Sequence, residues 1–341
     1  MHAEIGEAGR RTGPYTALID LDDGSYGVLA PERRFVARGA DADRMVLISI
    51  PLPGTDPQRF MAEAEASRYL LSPWACPAVE IAGAGEPPWH ARPYLPMLPL
   101  PTALAVHGGP LPERTVLALG AALAESLAIC HGQGLTHAGI SPAALFLAAD
   151  GPRLTGFGAV RVAAPDGTSR AGLPGLEPGS LPPEQAAGGR PRPLGDVYAL
   201  GATLAYAATG HTTPEREELT PVLRTVIGRC LSRDPQARPQ LTELMDTFLP
   251  AASQADSSPN SAGLPATPAT YTAGPTPRAT ALLGPGWLPG RVIAALAHQS
   301  SVLLAAERAV PSSLTWAPPV PYGAHSLRPG TPPVPSAHSQ N

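Results

Sequence analysis

The chain of 341 residues has no lysine: all 24 of its basic residues are arginine. Asparagine occurs only at Asn260 and Asn341, so the first 250 residues support no chemistry that needs a lysine or an asparagine. Cysteine is scarce as well. Cys76, Cys130 and Cys230 lie far apart with no CxxC pair, which excludes a disulfide framework and predicts reduced thiols in a cytoplasmic protein. Charged residues make up only 15% of the chain and balance to a net −4. That excludes the basic face of a nucleic-acid binder and the polybasic stretch of a membrane anchor. No run of 18 apolar residues occurs, and Met1 is followed by His2, Glu4 and Glu7 rather than a basic region. Neither a membrane span nor a secretory signal is expected.

What is present is enough apolar sequence, 43%, for one large domain or a domain with a tail. Residues 1–12 are short and polar and read as a flexible terminus. Tyr15 to Ile19 and Val46 to Ile50 suit strands, and the turn residues Asp22 to Ser25 lie between them. At 56–71 the period becomes helical, with Asp56-Pro57 as the start signal. Pro87 to Pro101 reads as an extended connection. Beyond it Val116, Leu119, Leu123, Leu127 and Cys130 mark the buried face of a long helix stopped by Gly132 and Gly134. Two short strands around Asp150-Gly151 follow, then helical patterns at 196–209, 221–231 and 239–248. The order predicts an α+β chain in two lobes, a β-rich N-lobe over about 13–95 and a larger helical C-lobe over about 96–250. From 251 to 286 the Ser/Pro/Thr/Gly-rich composition predicts a disordered linker, and 308–341 a disordered tail. Between them 287–307 has helical periodicity. It is expected either to dock on the lobes or on a partner, or to be a nascent helix in a linker.

Five motifs carry a resemblance. Leu135-Thr-His-Ala-Gly-Ile-Ser-Pro-Ala-Ala-Leu is similar to the H-R-D-L-K-P-x-N-I-L catalytic loop of Ser/Thr protein kinases, with His137, Pro142 and Leu145 in register. Gly156-Phe157-Gly158 stands in the place of D-F-G, and Pro182-Pro183-Glu184 in that of A-P-E. Asp196-Val-Tyr-Ala-Leu-Gly201 resembles the segment that opens the large C-lobe helix. Cys230 to Pro239 resembles the C-L-x-x-D-P-x-x-R-P segment near the end of the fold. The chain therefore resembles bacterial Ser/Thr protein kinases over roughly residues 13–250. Its Ala-, Pro- and Arg-rich texture is similar to actinobacterial members with a Pro-rich linker. The resemblance implies the bilobal protein-kinase fold.

It also locates what is missing. Phosphoryl transfer depends on neutralising the triphosphate and positioning the nucleophile. The strand-lysine slot holds Ser49, the catalytic-aspartate slot Gly139, the following lysine slot Ser141, the metal-binding asparagine slot Ala144, and the D-F-G aspartate slot Gly156. None of these side chains can replace a carboxylate or an ammonium. The Gly-rich loop keeps Gly24 and Gly27 but has Asp22 at its first glycine, beside Asp23, where two carboxylates would repel a polyanion. Glu63, or else Glu65, fits the helix glutamate that would pair with the absent lysine. Arg34, Arg38 or Arg44 could offer charge in its stead, though as a planar fork. The positions that brace the fold remain. His137 and Phe157, with Gly158 beside them, match stacked core residues; Glu184 and Arg238 match a buried ion pair; Asp196 matches the residue that holds the catalytic-loop backbone.

The reading is a degenerate member, a pseudokinase serving as a regulatory or protein-interaction module. No metal and no cofactor are predicted. Weak, metal-independent ATP binding through the segment from Pro93 to Leu98 stays open. The partners implied are other proteins, such as an active kinase or another signalling protein, with no nucleic acid and no membrane. The alternative is a Ser/Thr kinase with residual ATP binding or weak phosphotransferase activity.

Overall fold

A computed structural model describes residues 11–22, 29–39, 44–255 and 278–309. Residues 1–10, the loop carrying Asp23, Gly24 and Gly27, the segment 256–277 and the end from 310 onward lie outside the described residues. The N-lobe is built on an antiparallel sheet in the order β1-β2-β3-β4-β6-β5. Its strands are β1 (Arg11–Thr12), β2 (Tyr15–Asp20), β3 (Arg33–Gly39), β4 (Met45–Ile50), β5 (Glu80–Ile81) and β6 (His90–Pro93). Strand periodicity sorts the side chains of β4. Val46 and Ile48 pack with Tyr15, Ala37, Trp89 and Ala91 on one face. Leu47 and Ser49 point to the other face, toward the second lobe. Helix α1 (Pro57–Ser67) starts where Asp56 accepts the N–H groups of Gln58 (2.9 Å) and Arg59 (3.4 Å). It buries Phe60, Ala64 and Ser67.

A second sheet joins the lobes: β7 (Met97–Pro99), β8 (Leu145–Ala148) and β9 (Gly151–Leu154), all antiparallel. The C-lobe holds α2 (Leu100–His107), α3 (Glu113–Gly132), α4 (Ala159–Ala163), α5 (Pro183–Ala186), α6 (Pro193–Thr209), α7 (Pro221–Cys230) and α8 (Leu241–Ala255). α3 is long and apolar enough to cross a membrane, but it is the central helix of this lobe and buried along most of its length. Gly120 lets α8 approach it closely: a Cβ there would sit 2.9 Å from the ring of Phe248. The cysteines are all buried. Burial raises the thiol of Cys76 and pushes those of Cys130 and Cys230 up to about 12, so they stay protonated near neutral pH.

Several expected boundaries differ; α1 ends at Ser67 rather than at 71, and the last helix spans Gly290–Ala309 rather than 287–307. Arg11 and Thr12, assigned to a flexible terminus, pair with Thr16 and Tyr15 as an edge strand. The linker drawn from 251 loses its first five residues to α8, which runs through Pro250 to Ala255. The same linker also loses its end. Residues 278–282 form a 3-10 turn whose Ala279 and Leu282 are buried, and Trp287 is 2% exposed. The reason is tertiary: apolar residues too sparse to form a core of their own are covered by the C-lobe. The final helix, α9, spans Gly290–Ala309 and packs against α2.

Candidate functional site

The motif residues converge where the lobes meet. Asp196, in the first turn of α6, accepts the backbone N–H groups of His137 and Ala138, both at 2.7 Å, and faces His131 Nε2 at 2.9 Å. Among the described residues Ala138 is the non-glycine residue with positive φ, +52°. A left-handed alanine costs about 1–2 kcal/mol, and the Asp196 carboxylate holds it in place. His137 is buried and meets Phe157 edge to face, ring centroids 5.5 Å apart. Neither of its ring nitrogens has a hydrogen-bond partner among the described residues. Burial drives its pKa down to about 4, against the pull of Asp196, so it is a neutral core residue. In the unfolded chain it protonates below about 6.5, so stability falls as the pH drops from there toward 4. In His137→Phe the loss of stability between pH 7 and pH 5 is expected to shrink by about 2 kcal/mol, read by urea denaturation at the two pH values.

The strand-lysine slot is filled by a network. Ser49 Oγ donates to Glu32 Oε1 at 3.0 Å, and Arg92 Nη1 donates to both Ser49 Oγ and Glu32 Oε1 at 2.7 Å. His90 Nε2 lies 3.2 Å from Glu32 Oε2. β4–β6 pairing sets this up, placing His90 opposite Ser49 and Arg92 opposite Leu47. Burial alone would raise the Glu32 pKa, but Arg92, His90 and Arg34 together hold it well below the usual carboxylate range. Glu63 does not face Ser49. It takes a bidentate bond from Arg161 of α4, Nε and Nη2 each at 2.6 Å, and Arg161 lies 5.0 Å over the Phe157 ring. Glu65 turns away and pairs with Arg68.

The other slots are packed shut. A Cβ on Gly139 would fall inside the van der Waals shell of the Gly156 carbonyl oxygen and 3.1 Å from Ala159 Cβ. Gly156 has φ +74°, and a Cβ on it would lie 3.2 Å from Ala144 Cβ, Gly139 O and Pro31 Cγ. Ser141 caps the turn at Pro142–Ala144, its Oγ accepting from Ala144 N at 3.3 Å. Gly158 leaves room for the Glu63 carboxylate. Two cavities border these slots, one between Glu32, Glu63 and Phe157, the other between Gly139, Ser141 and Ser180. They hold about 10 and 20 Å³, space for a water or so each.

Arg34, 0% exposed, is buried where β3 meets the second lobe. Its Nη1 donates to Ala143 O at 2.5 Å, Nε and Nη2 pair with Asp22 at 2.9 and 2.5 Å, and its guanidinium lies 4.7 Å over the Phe146 ring. Asp22 therefore has a counter-charge in Arg34. Arg44 pairs with Glu80 away from the cleft. In the C-lobe Arg238 donates to both Glu184 oxygens, at 2.6 and 2.9 Å, and to the carbonyls of Ser232 and Leu194, each at 2.9 Å. Asp150 pairs with Arg153 at 2.7 Å in the β8–β9 turn. Among the described residues no cluster of three or more His, Cys, Asp or Glu is placed to hold a metal ion.

The site residues that sequence reasoning passed over are Glu32, Arg92 and Arg161. Each reaches the site through strand pairing or a lobe contact, and the only local signal was the polar His90-Ala-Arg92 alternation within a strand.

No family model matches the chain. It is 33% identical over 265 residues to the probable serine/threonine-protein kinase PkwA of Thermomonospora curvata, covering 70% of this chain and 34% of that protein. It is 30% identical over 287 residues to the serine/threonine-protein kinase AfsK of Streptomyces griseus, covering 76% and 35%. The chain thus spans about a third of the length of these curated relatives. Among solved structures, the Mycobacterium tuberculosis PknI kinase domain superposes with a TM-score of 0.53 at 21% identity, over 71% of this chain and 98% of that domain. The chain has the bilobal protein-kinase fold, and its relatives in sequence are bacterial serine/threonine-protein kinases.

Proposed function

We propose that this domain is a pseudokinase, a kinase-fold module that binds other proteins in the cytoplasm and does not transfer phosphate. The observation that carries the reading is the Gly156 carbonyl seated against Gly139, which fills with backbone the space a catalytic aspartate needs. The residues at the slots do not fit a magnesium nucleotide. No carboxylate stands at 139 or 156, no amide at 144, and the nearby cations Arg34 and Arg92 are already bonded to Asp22 and Glu32. Removing one transition-state contact costs orders of magnitude in rate, and several are absent together. The groups that brace the fold, Asp196 and the Glu184–Arg238 pair, remain bonded. A domain kept for its shape retains such groups and loses the others.

A second reading, a Ser/Thr kinase with residual ATP binding or weak activity, is favoured by the names of the two relatives above, both serine/threonine-protein kinases. One experiment separates the two. The full chain is incubated with radiolabelled ATP and Mg²⁺ or Mn²⁺, with and without a generic basic protein substrate. No incorporation above a heat-treated control is expected. Incorporation that a Gly139→Ala or Ser141→Ala change abolishes would establish the second reading instead.

A further inference from the structure

The segment 278–309 follows the last helix of the kinase-like lobes and is fastened along its length. Glu125 of α3 accepts the N–H of Arg278 at 2.7 Å. Trp287 is the anchor: its Nε1 donates to Ala149 O at 2.8 Å, and its carbonyl accepts from Thr115 Oγ1 at 2.7 Å. Arg114 bonds Gly286 O at 2.9 Å. From there α9 buries Val292, Leu296 and Leu303, spaced four and seven residues apart along one face. Val292 and Leu296 join the C-lobe core. Leu303 does not. It belongs to a different buried cluster, with Leu47 of the N-lobe and Met97 and Phe146 of the joining sheet. The eleven steps from Val292 to Leu303 reach about 16 Å at the helical rise. The next residue, Leu304, is 58% exposed, so contact is confined to one face.

We infer that residues 278–309 form an intramolecular clasp, anchored on the C-lobe by Trp287 and closing the junction of the lobes through Leu303. The cluster that Leu303 joins contains Tyr94 and Met97 of the 93–98 segment, through which the resemblance would take adenine, together with Leu47 and Phe146. Arg34, between Asp22 and Ala143, closes the adjoining space. A 20-residue helix is marginal in water by itself, so its two ends come off in order of how firmly each is held. Among the described residues the Trp287 end has several hydrogen bonds and the deep core, and the Leu303 end has one buried apolar contact set. Release therefore starts at Leu303, which makes the clasp a device for opening the cleft while the tail stays tethered.

Amide hydrogen exchange on the full chain tests this, with Leu303→Asp against its neighbour Leu304→Asp. Leu303→Asp is expected to raise exchange tenfold or more in peptides covering 33–39, 45–50 and 94–99, with α3 and α8 as in the parent. Leu304→Asp is expected to exchange like the parent throughout. If Leu303→Asp does not fold, Leu303→Ala carries the same comparison with a rise of about threefold. Unchanged exchange at 33–50 and 94–99, or an equal rise in α3 and α8, overturns the clasp. Exchange reports opening whether or not phosphate is transferred, so this outcome is independent of the proposed function.

Discussion

Gly139→Asp is expected to lose about 3 kcal/mol or more of stability and to gain no phosphotransfer, although it restores the residue that the kinase resemblance places there. The space for the new side chain is taken. Its Cβ alone would collide with the Gly156 carbonyl and press on Ala159, which opens α4. That carbonyl cannot move freely, because the turn it starts is pinned by Gly158 N to His137 O and Val160 N to Ala138 O, both at 2.8 Å. Further reversions make matters worse rather than better. Gly156→Asp puts a side chain at φ +74° pressed against Ala144, and Ala144→Asn enlarges the side chain it would touch. The combined Ser49→Lys, Gly139→Asp, Ala144→Asn and Gly156→Asp protein should therefore fold worse than the sum of its parts. Urea denaturation of the single variant and a kinase assay of the combined one check this. A Gly139→Asp protein that melts with the parent, or a combined variant with measurable turnover, would show that α4 swings aside and that the packing is one of two states.

Arg92→Ala should cost about 3–5 kcal/mol at pH 7, because it strands the buried Glu32 carboxylate without its main counter-charge. The pH dependence should also change sign. In the parent, Glu32 titrates below its unfolded value of about 4.5, so its contribution is present above that pH and lost as the pH falls. Without Arg92, burial dominates and the folded pKa rises above the unfolded one. Stability is then lost as the pH rises through 4.5 and beyond, and the deficit against the parent narrows on acidification as Glu32 takes up a proton. Denaturation midpoints at pH 4.5, 5.5 and 7 read this directly. A deficit that stays constant over that range would mean that His90 and Arg34 suffice to keep Glu32 charged. The Gln variant is the control: Glu32→Gln should remove most of the pH effect while keeping the bond to Ser49.

Much of the fold could be read from local pattern. The strand alternation of Val46 to Ile50, the Asp56-Pro57 start of α1 and the 3–4 spacing along α3 are short-range signals, and each element formed where its period placed it. The bracing residues Asp196, Glu184 and Arg238 were legible for another reason: they belong to motifs whose spacing is fixed by the kinase-like backbone. Charge compensation was not legible. Asp22 looked like a repelling carboxylate, yet it pairs with Arg34 twelve residues on; Ser49 looked like a mere loss, yet Arg92 stands beside it, forty-three residues away. The run from 278 to 286 was read as part of a disordered Ser/Pro/Thr/Gly-rich linker, and the C-lobe surface orders it beside Trp287.

By itself, then, the sequence determined the order of the elements, the two-lobed class and the small residues at 49, 139, 144 and 156, since these follow from local period and residue identity. Tertiary structure decided which arginine meets which carboxylate, that the Gly139 slot is filled by the Gly156 backbone and the Ser49 slot by Glu32 and Arg92, and that Leu303 closes the junction between the lobes. Pairings across lobes leave no periodic trace, because they depend on where the folded backbone brings distant residues and on which buried charge would otherwise stand alone.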